Sequence, residues 1–381
     1  MSSAGPGEQL ERAGLRPPEA LTIAITGACN LRCRHCWVEA GARTSAGHAP
    51  TRELMRLVDG FVALGVDTIW ITGGEPLAHP DWPAILAHCC SRPTVRAVGI
   101  QTNGTLLDDA HVARLRAISM EKLHLEVSLD GAAPSTHDRV RGSGSFAATI
   151  AGTTRLVAAG LGHRTAIAFT EMRDNMDDVP ALLELVERLG LRGAVGGTLL
   201  QDGRAARHGL EPPTPAQYRA LLARYHESAR LRELYDRYGR FCAVEWWKGR
   251  SATRGDPSAL VRHPYVSAEA KIYPCRLCHA DDFAIVPAPG EPLAAALGDA
   301  VPRWGRLLDL ARARPANLPE CEQCAAALSC AGGCMGRALA ACGSLLAAED
   351  RCALRKAVQL WDGRRAGERP AASATAPRPG E

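Results

Sequence analysis

The 381-residue sequence predicts an α/β fold, a partial (β/α)6 barrel that carries a cysteine-rich C-terminal domain. Three observations predict it. Short apolar strands alternate with helical patterns six times between residues 21 and 230, and parallel strands need helical crossovers of that kind. The glycine- and polar-rich motifs fall at the C-terminal ends of predicted strands, where barrels of this architecture carry their chemistry. The alternation stops near Arg230, and cysteines then gather between Phe241 and Cys352.

The alternating residues Leu21, Ile23 and Ile25 predict a first strand over 21–26. Leu54, Leu57, Val58, Phe61 and Val62 recur at helical spacing, and Gly65 ends that helix. A second strand over 68–72 runs into Gly73-Gly74-Glu75-Pro76. A helix over 82–90 leads to a strand over 95–101 and the turn Thr102-Asn103-Gly104. A helix over 108–118 precedes a strand over 123–129. The alternation continues with a helix over 146–159, a strand over 165–170 and a helix over 179–189. A sixth strand over 193–200 and a helix over 215–230 complete it. The expected organisation is a flexible arm (1–18), the barrel (19–232), a bridging region (233–257), a cysteine-rich domain (258–356) and a disordered Pro/Ala/Arg tail (364–381).

Forty-five basic residues against 41 acidic give a net charge of only +4, with no basic run, so no nucleic-acid partner is expected. The first 18 residues hold no signal-peptide core, and no apolar run is long enough to span a bilayer. The expectation is a cytoplasmic chain without a membrane partner. In a reducing compartment its 14 cysteines read as metal ligands rather than disulfides.

Three of them, Cys29, Cys33 and Cys36, stand at C-x3-C-x2-C just behind the first strand. A cubane of four irons and four sulfides normally takes four thiolates. Three close-set thiolates hold three irons and leave the fourth with an open position, where a small molecule can bring its own amine and carboxylate. The alternative is a structural zinc knot with His35 as fourth ligand, although zinc favours paired C-x2-C halves. The motif and its place resemble the signature of the radical S-adenosylmethionine (SAM) superfamily. The resemblance implies a [4Fe-4S] cluster on Cys29, Cys33 and Cys36 that chelates SAM and cleaves it reductively to a 5′-deoxyadenosyl radical.

In Gly73-Gly74-Glu75-Pro76 two glycines let the backbone approach a ligand, and the carboxylate can accept from an ammonium group. The stretch resembles the superfamily's GGEP motif, which implies that Gly73, Gly74 and Glu75 bind the amino end of SAM. Gln101-Thr102-Asn103-Gly104-Thr105 resembles the turn after the third strand and adds Asn103 to the cofactor site. Ser128-Leu129-Asp130-Gly131, with His137-Asp138-Arg139-Val140-Arg141-Gly142 behind it, resembles the fourth-strand motif. By position it implies SAM carboxylate and ribose contacts from Ser128 and from Arg141, ahead of Arg139. The resemblance covers roughly residues 20–200.

The C-terminal set is Cys321-x2-Cys324-x5-Cys330-x3-Cys334, then Cys352, with Tyr273-Pro274-Cys275-Arg276-Leu277-Cys278 upstream. C-x2-C pairs also suit zinc ribbons. The region resembles the SPASM extension of peptide-modifying radical SAM enzymes, which carries auxiliary iron–sulfur clusters. That resemblance implies one cluster on Cys321, Cys324, Cys330 and Cys352, and a second that includes Cys275 and Cys334. Two positions depart from the pattern. Ala270 stands where a glycine is usual, and an expected upstream cysteine falls near Ser258, so Cys278 is the alternative ligand or that cluster is incomplete. Arg276 replaces the aspartate that serves as general base in sulfatase-maturing members, which disfavours sulfatase maturation.

Cys89, Cys90 and Cys342 read as packing residues, since a buried cysteine behaves as a small hydrophobe. Cys242 is a candidate hydrogen-atom donor to a substrate radical, against plain core packing. The expected function is a radical SAM oxidoreductase or maturase that modifies a ribosomally synthesised peptide by crosslinking, oxidation or epimerisation. Its expected partners are an electron donor such as flavodoxin or ferredoxin and a separate peptide-recognition protein. The alternative is a dehydrogenase or epimerase of a sugar- or aminoglycoside-type small molecule, for which Arg276 supplies an anion partner. A non-catalytic iron–sulfur carrier is the third reading.

Overall fold

The computed structural model describes residues 6–12, 14–42, 47–118, 121–250, 261–298 and 301–361. After a short helix α1 (Pro6–Arg12), strands and helices alternate. They run β1 (Ala20–Ala24), α2 (Thr51–Ala63), β2 (Thr68–Thr72), α3 (Trp82–Ser91), β3 (Ala97–Thr102) and α4 (Asp109–Ala117). Then come β4 (Leu123–Ser128), α5 (Pro134–Arg141), α6 (Ser145–Ala158), β5 (Thr165–Glu171), α7 (Val179–Arg188) and β6 (Gly193–Thr198). Beyond β6 lie α8 (Arg204–Arg207), α9 (Pro215–Glu227), α10 (Ala229–Tyr238), β7 (Gly239–Arg240) and α11 (Cys242–Trp247). The C-terminal region adds β8 (Tyr265–Val266), β9 (Ile272–Tyr273), α12 (Leu293–Gly298), α13 (Val301–Asn317), α14 (Ala327–Cys330), α15 (Met335–Cys342) and α16 (Cys352–Gln359).

The strands form one sheet in the order β7-β6-β5-β4-β3-β2-β1-β8-β9. Neighbours from β7 to β8 are parallel, and β9 alone runs antiparallel, so the sheet ends on β7 and β9 and is a partial barrel. Strand alternation sets its two faces. Ile23, Ile71, Ile100, Leu125, Val127 and Ile167 are buried in the core under the helices. Each such side chain is worth about 1.5–3 kcal/mol on burial. The residues between them, Thr22, Trp70, Gln101, Glu126 and Ser128, are only half-buried on the other, concave face. Helix α2 places Leu54, Leu57, Val58 and Phe61 on that core at the 3.6-residue period.

Several boundaries differ from those expected. The arm expected over 1–18 is a packed element from residue 6 on: α1 buries Leu10, and Leu15 behind it is buried too, because both leucines join the main core. The helix expected over 215–230 is two helices. Thr214 and Gln217 form a capping box on α9, and the Ser228 hydroxyl caps α10 by accepting from the Leu231 N–H. The barrel sheet runs past residue 232, taking in β7, and the cysteine-rich region itself supplies β8 and β9. Ser258 and the 364–381 tail lie outside the described residues.

The C-terminal region is fastened to the barrel by Arg337, which is 3% exposed. Its guanidinium donates to the Thr198 carbonyl (3.0 Å) and to the Leu199 carbonyl at the end of β6, and Nε donates to Asp350 (2.7 Å).

Candidate functional site

The C-x3-C-x2-C loop leaves the C-terminal end of β1 and is clamped from three sides. From β2, the Gly74 N–H donates to the Thr26 carbonyl (2.6 Å) and the Glu75 N–H to the Ala28 carbonyl (2.8 Å). Gly73 takes φ 150°, and a Cβ on Gly74 would collide with the Ala28 carbonyl, so two glycines are required here. From α5, the Val140 carbonyl accepts from the Arg34 N–H (2.8 Å). From α8, Arg204 donates through Nε to the Cys33 carbonyl (2.9 Å), through Nη1 to the Ala40 carbonyl (3.0 Å), and through its backbone N–H to the Cys36 carbonyl (3.1 Å). No spacing signal in the sequence singles out Arg204, because its partner loop lies about 170 residues upstream.

Cys33 is buried, and Cys29 and Cys36 are half-buried. The three thiols act electrostatically on one another. Burial pushes Cys29 up to about 11 and raises Cys33 as well, Arg141 and Arg204 opposing the rise at Cys33. The Cys29 and Cys33 sulfurs therefore stay protonated at neutral pH until a metal displaces the protons. Among the described residues, no three Cys, His, Asp or Glu side chains converge as ligands of a single metal ion do. The zinc knot through His35 is not built: its Nε2 lies 3.5 Å from the Asp130 carboxylate and from Arg141. Burial pushes His35 down to about 4, so the ring is neutral.

Behind the loop, Glu75 is 1% exposed and its carboxylate is engaged by the protein. It accepts from the Leu77 N–H (3.1 Å), the Thr102 hydroxyl (2.6 Å) and the Asn103 N–H (2.7 Å). Burial raises Glu75, and these bonds oppose the rise. Its side chain thus ties the β2 turn to the β3 turn. Asn103 in turn donates to Asn30 inside the cysteine loop (2.9 Å), and Asn30 donates to Thr105 (2.8 Å). Asn30 sits within the C-x3-C spacing, where a polar residue between two cysteines was the available signal.

Ser128 ends β4, and Asp130 just beyond it is fully buried. Asp130 accepts from Arg141 Nε (2.6 Å) and from the Thr170 N–H (2.7 Å). Burial alone would raise this carboxyl, but Arg141, His35 and the Thr170 N–H together hold it below the usual range. Arg141 also feels the charges of Cys33 and Cys36, so it stands beside the loop. Arg139 shares no such network.

The C-terminal cysteines form two groups. Cys321, Cys324, Cys330 and Cys352 line one pocket of about 380 Å³, part of it open to solvent. Cys275, Cys278 and Cys334 act on one another, with Cys278 buried and raised by burial to about 11. Arg314, fully buried, lies within electrostatic reach of both groups and donates to the Gly332 carbonyl (2.7 Å). Ala270, at the position where glycine is usual, takes φ 60° in the tight β8–β9 turn. That left-handed backbone explains the preference for glycine. Cys89 and Cys90 are core residues, as expected. Cys342 is not: it is exposed at the end of α15, since that helix turns its last residue outward. Cys242 lies apart from the other cysteines, beside the Thr198 hydroxyl (3.6 Å) and the Gly196 carbonyl (4.0 Å), with Glu171 accepting from its N–H.

A family model described as the radical SAM superfamily matches residues 23–186, the stretch from β1 into α7. The chain carries a radical SAM domain. Relatives of this domain include an "AdoMet-dependent heme synthase" of Methanosarcina barkeri, 32% identical over 55% of this chain and 58% of that protein. They also include the "Mycofactocin maturase MftC" of Mycobacterium ulcerans, 34% identical over 56% of each chain. The chain thus spans little more than half the length of these relatives. Among solved structures, anSMEcpe with bound AdoMet superposes with a TM-score of 0.71 at 17% identity, covering 91% of this chain and 93% of that one. Streptococcus suis SuiB bound to its precursor peptide SuiA gives 0.69 at 16% identity, covering 91% and 78%. These two likenesses establish the fold, cysteine-rich region included. The radical SAM family uses a [4Fe-4S] cluster and SAM, and the mutually coupled thiols of Cys29, Cys33 and Cys36, held by backbone bonds, fit such a cluster.

Proposed function

We propose that the chain is a radical SAM maturase that modifies a ribosomally synthesised peptide by crosslinking, oxidation or epimerisation. The observation that carries this reading is the joining of two cysteine-bearing regions over one set of strand ends: the loop on β1, and the C-terminal groups fastened to the end of β6 by Arg337. Resemblance to a mycofactocin maturase and fold likeness to a SuiB–peptide complex support a peptide as substrate.

Cys29, Cys33 and Cys36 hold the cluster, which when bound supplies the electron for reductive cleavage of SAM. Gly73, Gly74 and Arg204 fix the loop that presents the three sulfurs, so that one metal position is left to the cofactor. Ser128 and Arg141 bind the cofactor's carboxylate and ribose, with Asp130 orienting Arg141. Glu75 and Asn103 act through the loop, since the Glu75 carboxylate is engaged by three protein donors. Cys321, Cys324, Cys330 and Cys352 hold one auxiliary cluster, and Cys275, Cys278 and Cys334 hold a second. Burial raises Cys242 to about 12, so it is a full S–H at neutral pH, the state a hydrogen-atom donor needs. A flavodoxin or ferredoxin supplies the electron, and a separate protein recognises the peptide. The cytoplasm is the proposed compartment; among the described residues no helix is long and apolar enough to cross a membrane.

A small-molecule substrate is the second reading. The heme synthase relatives favour it, as does Arg276, which is exposed yet within electrostatic reach of Glu126 on the concave face. The test is anaerobic incubation of reconstituted enzyme with SAM, reductant and the short peptide encoded beside its gene. Formation of 5′-deoxyadenosine with a mass change on the peptide is expected. Cofactor cleavage that leaves every neighbouring peptide unchanged would transfer the reading to small molecules.

A further inference from the structure

Four aromatic rings lie where the two cysteine-bearing regions meet. Trp37 directly follows Cys36, and His279 directly follows Cys278. Tyr265 and Tyr273 are direct partners in the β8–β9 ladder, and β8 lies beside β1. The His279 imidazole stacks on both tyrosines, with centroids 4.8 and 4.6 Å away and planes 21° and 16° apart. The Trp37 indole meets the same imidazole edge-on, at 4.8 Å and 60°. Both tyrosines are 6% exposed, and Trp37 and His279 beside them are half-buried. His279 Nε2 is buried with no hydrogen-bond partner, so that side of the imidazole rests on ring contacts, while a hydrogen bond to the Arg276 backbone holds the ring as well. A buried polar nitrogen left unpaired costs free energy, and packing by an apolar ring would avoid that cost.

We propose that Trp37 and His279 form the electron route between the cluster on Cys29, Cys33 and Cys36 and the auxiliary centre on Cys275, Cys278 and Cys334. The inference rests on the cluster assignments proposed above. Electron transfer weakens steeply with each gap to be crossed, and covalent bonds and packed π-systems carry it further than water or loose contacts. The path from Cys36 to Trp37 and from His279 to Cys278 is covalent at both ends and crosses a single ring contact. One electron leaves one centre and reduces the other. No bond breaks and no proton moves, so the imidazole stays neutral throughout. The route returns to the catalytic centre an electron that a substrate radical, on losing its proton, has given to the auxiliary one.

Flash photoreduction of anaerobic holoenzyme with a deazaflavin, read by rapid-freeze EPR, follows redistribution of the electron between the two centres. Trp37→Leu and His279→Leu are each expected to slow redistribution on the order of tenfold. Iron and sulfide content and both midpoint potentials should stay as in wild type, and Trp37→Phe, which keeps a ring, should recover most of the rate. Should His279→Leu fail to load iron, His279→Met fills the space without a ring and is judged by the same criterion. Equal rates in wild type and the ring-less variants, or no redistribution in wild type, would overturn the route. Wild-type protein that binds no iron at the Cys29 loop would instead overturn the reading beneath it.

Discussion

The two cysteine-bearing regions are held in opposite ways. The β1 loop hangs from a finished scaffold: β1 to β6 bury a continuous apolar core, and backbone bonds from β2, α5 and α8 fix the loop. Between residues 319 and 352, where six cysteines lie, the buried apolar side chains among the described residues are Ala326, Met335 and Ala338. Charges do the fastening there. Glu349 pairs with Arg351 (2.7 Å) and with Arg355, and Arg337 pairs with Asp350. A segment with so little apolar burial cannot offset its ordering entropy unaided. On the cluster assignments proposed above, the first site is a metal site placed on a fold, and the second a fold completed by its metal.

The largest expected effect follows directly. Stripping iron should leave hydrogen-exchange protection in β1–β6 intact while amides over 319–352 lose theirs, because metal binding there is folding free energy. Retained protection over 319–352 in the iron-free protein would erase the contrast. Next in size is Arg337→Ala, which leaves the Asp350 carboxylate buried and two β6 carbonyls without their donor. Denaturant unfolding should show a loss of about 3–5 kcal/mol, with barrel circular dichroism unchanged at low denaturant.

A smaller effect probes the barrel side. His137 is buried and its Nδ1 accepts from the Asp130 N–H (3.1 Å), with burial pushing it down to about 4. The unfolded chain protonates this residue near 6.5, so stability is full above that pH and falls as pH drops towards 4. His137→Asn should flatten that part of the urea-stability profile by about 2 kcal/mol. A profile as steep as in wild type would remove His137 from the network. Smallest of all, Ala270→Gly should relieve the φ 60° backbone and raise stability by about 1 kcal/mol, measured by thermal unfolding.

The same contrast explains what could be read from the chain. The strand–helix alternation was legible because Leu21, Ile23, Leu54, Leu57 and Phe61 report burial at periods of two and 3.6. The grouping of Cys321, Cys324, Cys330 and Cys352, which line one pocket, was implied by the resemblance to the SPASM extension. Helix α5 was overlooked because its surface is polar and its start is marked only by Pro134. Strands β7, β8 and β9, of two residues each, are too short to show any period. The role of α1 was missed because Leu10 and Leu15 are isolated apolar residues in a polar stretch. Arg204 and Arg314 reach their partners across long sequence separations, and a single chain carries no local mark of that.

The central claim is that the Cys29, Cys33 and Cys36 loop alone, on its preformed barrel, holds a cluster with a position open to SAM. EPR of the reduced protein in which Cys275, Cys278, Cys321, Cys324, Cys330, Cys334 and Cys352 are all alanine tests it most directly. The account predicts one remaining [4Fe-4S] signal whose shape changes when SAM is added. A protein with no cluster signal, or one indifferent to SAM, would contradict it.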